Sequence, residues 1–362
     1  MNKRIWWAMS LLSLSGTGCA SRPAGEVKVA PVNFVHADEK VERPGYIILA
    51  DRRIFATMAF LNAVGYDEEK RGFRMHPVRR RVRQAIAKNL ETHPEKLATW
   101  RQYWRKRQIP PFACKSYALS LKADYPFRRV RPDEELGYPH AAAALRGFPD
   151  ILNDFWRTAK LEEIWTDVKP DYMAAVRTYD PEKMKRQMAF LWDYLRMERR
   201  DPFVIVHIPD LLNRHLGAMG AGYGPYFYSV DNPGANDGRL NVHEYLHTIV
   251  NPLVKAQHPH YAAKLNAYFQ AGKDAPGVRT YREPVTFVFE CLVLALDRRI
   301  SARFENDSAW TRLKEGQVAY DTEQGLNLTQ PFYDVLAAYE ESGGPFDAFL
   351  PTMLDQLPAY GE

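Results

Sequence analysis

His243, Glu244 and His247 stand in the stretch "LNVHEYLHTIVNP", residues 240–252, in the order His-Glu-x-x-His. On a helix, residues four apart share a face, one turn above each other. Both imidazoles can then be aimed at one ion. Glu244 lies beside that face, close enough to contact a water on the ion without having to ligate it. This division of labour suits Zn2+ held by three protein ligands, with a fourth position left for water. The chemistry it would serve is hydrolysis, with Glu244 as the general base that takes the water proton.

The third ligand must come from elsewhere. "HTIVNPLVKAQHPHY" contains His258 and His260, but at the wrong spacing and without a glycine for a third-histidine continuation. Two acidic residues on a later predicted helix are the candidates. Glu283 sits beside Pro284 at the expected helix start, where a carboxylate also serves as a cap. Glu290 lies inside "VTFVFECLVLALDRR", an almost wholly apolar run. A carboxylate there is expensive unless paired or bound to a cation, which favours Glu290 over Glu283. A tetrahedral intermediate also needs a donor for its oxyanion. Tyr320, Tyr333 and His207 are candidates, and the sequence does not choose among them. Asn251, four residues after His247, reads more readily as a helix-end residue before Pro252 than as an imidazole partner.

The elements that must position these groups are mostly helical. "DRRIFATMAFLNAVGY" has apolar residues at helical spacing, with Asp51 as N-cap. "PDILNDFWRTAKLEEIWTDV" keeps a period near 3.6, and "PEKMKRQMAFLWDYLRM" opens with Pro181 at a first helical position. "YIIL" reads as a short strand, the period changes at "PFVIVHIPDLL", a buried-strand pattern, and "YFYSV" reads as a further strand. The glycines of "HLGAMGAGYGPYFYSV" lack nucleotide-binding spacing. They read as a tight turn or bulge, or as backbone that pairs with an extended peptide. "DNPGANDGR" is a turn before the metal-binding stretch. "HYAAKLNAYFQ", "PVTFVFECLVLALDRRI" and two C-terminal helices around "PFYDVLAAYEE" and "PFDAFLPTMLDQL" complete the chain. The expected fold is α+β and mostly helical, with a small mixed sheet, an active-site helix and a helical C-terminal lobe.

With its uncharged flanks Tyr245, Leu246, Thr248 and Ile249, the motif resembles the extended pattern of the zincin metallopeptidases. The chain is similar to a secreted bacterial family of gluzincin type, in which the motif is followed by "VNP", as in "HEYLHTIVNP" here. That family has a later helix with "NE-x-LVRA". Here it reads "FECLVLA", so Glu290 matches the glutamate, while Phe289 and Leu294 replace the Asn and Arg. "DRRIFATMAFLNAVGY" and "FPDILNDFW" extend the resemblance weakly over most of the chain. It implies a zincin-like fold and zinc-dependent cleavage of peptide bonds in a peptide or protein substrate.

The first residues read as an export signal: "MNKR", the apolar "IWWAMSLLSLSG" and the small residues of "TGCAS". Cys19 after Gly18 resembles a lipoprotein box, although Gly16 stands where that pattern has Leu. We therefore expect a lipoprotein-type signal at 1–19, a lipid anchor on Cys19, a tether over 20–45 and a single metallopeptidase unit over 46–362, with room for two lobes around a cleft. Ala20 resembles outer-membrane sorting, which would place the protein on the periplasmic face of that membrane, or otherwise in the periplasm or outside the cell. Cys114 and Cys291 are either a disulfide or two buried thiols.

The chain has 362 residues, 46% hydrophobic and 26% charged, with a net charge of +5. That charge alone does not imply nucleic acid, and none is expected as partner. Residues 70–107 are nevertheless rich in Lys and Arg. Val78, Val82, Ala85 and Ile86 fall on one face there, with the arginines largely opposite, as on a solvated core helix. The alternative is contact with anionic headgroups or peptidoglycan. Two further function classes stay open: a zinc hydrolase of cell-wall amides, and an inactive, metal-stabilised binding lipoprotein.

Overall fold

A computed structural model describes residues 40–43, 45–65, 76–107, 109, 111–131, 143–198, 204–213, 218–223, 226–232, 239–279 and 281–361. The expected signal, Cys19, most of the tether and the turn after Asn232 lie outside these residues. The chain is α+β and mostly helical. It divides into two compact units, and among the described residues each draws on two separate parts of the chain. The first runs to Asp180 and resumes over Pro202–Asn236; the second takes Pro181–Asp201 and Asp237–Glu362.

The first unit contains β1 (Lys40–Arg43), β2 (Tyr46–Leu49), α1 (Arg52–Ala63), α2 (Pro77–Leu90), α3 (Pro94–Arg107), α4 (Pro111–Leu119), α5 (Phe148–Thr158) and α6 (Leu161–Arg177). After the excursion into the second unit come β3 (Val204–Pro209), β4 (Ala218–Tyr223) and β5 (Tyr226–Asp231). The sheet order is β1-β2-β3-β5-β4. β2, β3 and β5 are parallel, and β1 and β4 run antiparallel at the two ends. β2 and β5 are buried along their whole length, as their unbroken apolar patterns require. The glycine-rich stretch does not form only a turn, since its first part is the strand β4. β5 is paired on both sides, so it is not the strand that an added peptide would extend.

Asp51 caps α1, accepting from the Arg53 and Ile54 amides. The periodic run from 148 to 177 is two helices, broken at Lys160 in the left-handed region with φ 52°. Phe55 of α1 meets Trp165 and Tyr172 of α6, and Phe60 meets Phe148 and Phe155 of α5. On α2 the stripe residues Val78, Val82 and Ile86 are buried as expected and Ala85 is half-buried, but Arg79 is buried with them. Its guanidinium donates to Asn62 Oδ1 and the Leu212 carbonyl, which offsets the loss of hydration.

Among the described residues the second unit has helices and no strand: α7 (Pro181–Leu195), α8 (Arg239–Gly272), α9 (Pro284–Glu305), α10 (Ser308–Glu323), α11 (Thr329–Ser342) and α12 (Phe346–Gln356). The C-terminal part thus has one helix, α10, more than the sequence reading assigned. α8 is continuous through Pro252 and Pro259, where the sequence reading ended it at Asn251. Buried Leu246, Val250, Val254 and Leu265 anchor its inner face, and this packing outweighs the local preference against helix before proline. α9 is the central helix, buried on nearly every side from Thr286 to Ala302. Tyr261, Lys264 and Tyr268 of α8 bond to the end of α12 and the residues just beyond it.

Candidate metal centre

α8 and α9 pack side by side, and their facing surfaces assemble the site from three side chains. His243 and His247 lie one turn apart on α8, their rings 5.0 Å apart and nearly perpendicular. Glu290 projects from α9. Its Oε1 lies 3.5 Å from His243 Nε2, and its Oε2 lies 3.5 Å from His247 Nε2. All three residues offer ligand atoms within 4.8 Å of one another, the one such group of His, Cys, Asp and Glu among the described residues.

These distances are long for charge-assisted hydrogen bonds, which run about 2.7–2.9 Å. They match the separation of two ligand atoms sharing one small cation, roughly 3.4 Å for a tetrahedral site. His247 Nε2 is buried, without a hydrogen bond, and faces the Glu290 carboxylate. On the other side of the ring, Nδ1 meets Asn251 Oδ1 at 3.1 Å. An amide oxygen only accepts, so Nδ1 carries the proton and Nε2 keeps its lone pair for an ion. The donor set therefore fits a divalent cation of the borderline class, to which imidazole and carboxylate both bind.

The electrostatics agree with this geometry. Burial pushes His243 down to about 4, against the pull of Glu290, which keeps the ring neutral. Burial also disfavours charge on His247, but contact with Glu290, the Glu244 charge and Asn251 outweigh it and raise that ring. For Glu290, burial alone would raise the carboxyl. His247, His243 and Arg298 reverse that and hold it below the usual carboxylate range. Arg298 is in turn bonded to Asp297 and Asp321.

Glu244 is buried beside the histidines, 3% exposed, and is not among the three clustered ligands. Glu283 is exposed at the N-cap of α9 and makes no capping hydrogen bond. It does not join the cluster. Of the oxyanion candidates, Tyr333 is engaged by the Arg299 guanidinium, 4.9 Å from its ring centre. Tyr320 is half-buried on α10. His207 belongs to the first unit, where Asp231 Oδ2 lies 3.4 Å from its Nδ1 and Ser229 donates to Oδ1 of the same aspartate.

Sequence reasoning missed Tyr281. It is buried in the turn before α9, and its hydroxyl bonds to Glu290, with burial as the first cause of its strongly raised pKa. No periodic pattern marks a turn residue, so nothing in the sequence singled it out. Asn251 did carry a signal, the i+4 spacing from His247, which Pro252 overshadowed. Cys114 and Cys291 are buried free thiols. Compared with protein-family models, with curated proteins and with solved structures, the chain finds no match.

Proposed function

We propose that the second unit is a zinc-dependent hydrolase of peptide bonds, of zincin type. The observation that carries this reading is the pair of imidazole Nε2 atoms facing the two oxygens of one buried carboxylate, with Glu244 buried beside them. When bound there, Zn2+ would supply a Lewis acid that acidifies a water and polarises a substrate carbonyl. His243, His247 and Glu290 would hold it. Asn251 fixes the tautomer of His247, and Tyr281 restrains Glu290. Glu244 accepts a proton from the attacking water and delivers it to the leaving amine.

The export signal and the lipoprotein-like Cys19 support a place outside the cytoplasm, with peptides or proteins there as substrates. No helix among the described residues is long and apolar enough to cross a membrane. The deciding experiment measures metal content and hydrolysis for wild type and Glu244→Gln, using a peptide library beside peptidoglycan fragments. The variant should keep one zinc and lose at least 100-fold in kcat. Wild-type protein that holds no stoichiometric metal overturns the reading. Cleavage confined to peptidoglycan fragments moves the substrate to cell-wall amides.

A further inference from the structure

Charge is segregated strongly along this chain. Residues 77–131 contain fifteen Lys and Arg against three Asp and Glu, while the whole chain carries a net charge of only +5. Some of these cations are structural. Arg79 is buried, Lys115 pairs with buried Asp210, Arg81 pairs with Asp171, and Lys96 pairs with Asp154. Others are not. Arg101, Arg105 and Lys106 are exposed on α3 and have no acidic partner among the described residues.

The geometry of α3 makes these three a surface. Ala98, Arg101, Gln102, Arg105 and Lys106 fall on one stripe and line a shallow groove of about 400 Å³. The other side of the helix is committed to α5. Trp100 packs edge-on against Phe155, Tyr103 stacks with Phe148, and Lys96 bonds Asp154 and Thr158. The helix is thus held by its aromatic face and presents its cations outward. In the same unit exposed Arg128 and Arg146 line a second, separate hollow of about 370 Å³, in which Asp150 offsets part of the positive charge. Val130, 57% exposed, lies two residues from Arg128.

We infer that the cationic stripe of α3 docks on a bilayer surface rich in anionic phospholipid headgroups. Unpaired Lys and Arg gain from the negative surface potential, each by about fivefold in affinity. Nucleic acid offers the same phosphate chemistry, but single strands need exposed aromatic platforms. Here Trp100 is buried, Trp104 is half-buried, and the Tyr103 ring stacks with Phe148 and has the Arg107 guanidinium 3.7 Å from its centre. The inference is independent of any metal in the second unit.

The test is co-sedimentation of the full chain with vesicles of phosphatidylcholine alone and of phosphatidylcholine with phosphatidylglycerol at 3:1. A DNA oligonucleotide serves as the competing polyanion. The readout is the ratio of affinities for the two vesicles, because the N-terminal apolar segment contributes to both. We expect a preference for anionic vesicles of at least tenfold at low salt, falling as salt rises. Arg101→Glu/Arg105→Glu/Lys106→Glu should abolish that preference while keeping the circular dichroism spectrum of the folded protein, since these exposed side chains have no ion pair or ring contact among the described residues. Arg101→Lys/Arg105→Lys should retain it. Equal binding to both vesicles, an unaffected triple glutamate variant, or tighter binding to the oligonucleotide would each overturn the assignment.

Discussion

His247 donates through Nδ1 to Asn251 Oδ1 at 3.1 Å, one helical turn further along α8. The bond stays within one rigid element, so the ring is oriented before any ion arrives. Asn251→Ala should weaken zinc affinity about 10- to 100-fold with little change in secondary structure. Asn251→Asp, which keeps an acceptor in place, should recover most of it. Competition against a zinc-sensitive dye measures both. Equal affinities in wild type and Asn251→Ala would remove the orienting role.

Glu290 and Glu283 separate cleanly in the structure, one beside both histidines and one exposed at the start of α9. Glu290→Ala should therefore lose stoichiometric zinc, whereas Glu283→Ala should retain it. Chelation of the wild type should lower its stability by about 2.7 kcal/mol relative to protein at a hundredfold excess of free zinc over Kd. Thermal melts with and without chelator give that difference, and the Glu290→Ala melt should not respond to chelator.

Glu340 collects hydrogen bonds from Arg299, Arg303 and Tyr194. Burial would raise its carboxyl, but the two guanidinium groups outweigh that and hold it below the usual range. A depressed carboxylate stabilises the fold above its unfolded pKa, about 4.3. That stabilisation disappears as pH falls through the lower folded value. Glu340→Gln should cost about 1–3 kcal/mol at pH 7 and flatten the loss of stability below pH 4.5. Urea midpoints across pH 3–7 test the sign.

Gly325 has φ +97°, and a Cβ there would stand 2.3 Å from Ala275 Cβ. Both the left-handed backbone and the close contact oppose a side chain. Gly325→Ala should destabilise the second unit by about 2–5 kcal/mol. An unchanged melting temperature would show that the 272–278 turn yields easily.

The helical character of the fold, the strands at 204–209 and 226–231 and the cap at Asp51 were legible because each rests on a local pattern. So was the triad of His243, His247 and Glu290: i+4 spacing aligns the first two, and an isolated carboxylate in an apolar run needs a cation. What escaped was set by tertiary contacts. The continuation of α8 through two prolines depends on packing against α9. The strand β4 depends on pairing with β5, which outweighs the weak intrinsic preference of glycine. Arg79 was read with a solvated face, yet Asn62 and Leu212, far away in sequence, receive its hydrogens. Tyr281 reaches Glu290 from a turn that has no period to read.

The chain leaves the first unit at Asp180, spends α7 in the second, and returns to supply β3, β4 and β5. During synthesis, β2 therefore waits for more than 150 residues before its parallel neighbour β3 exists. For that interval an apolar strand stands with one edge unpaired, which is the condition for aggregation in nascent chains. α7 likewise emerges before α8 and α9, against which it packs. Neither unit can be cut out as one continuous piece, so expression of residues 40–180 alone yields a chain lacking three of its five strands.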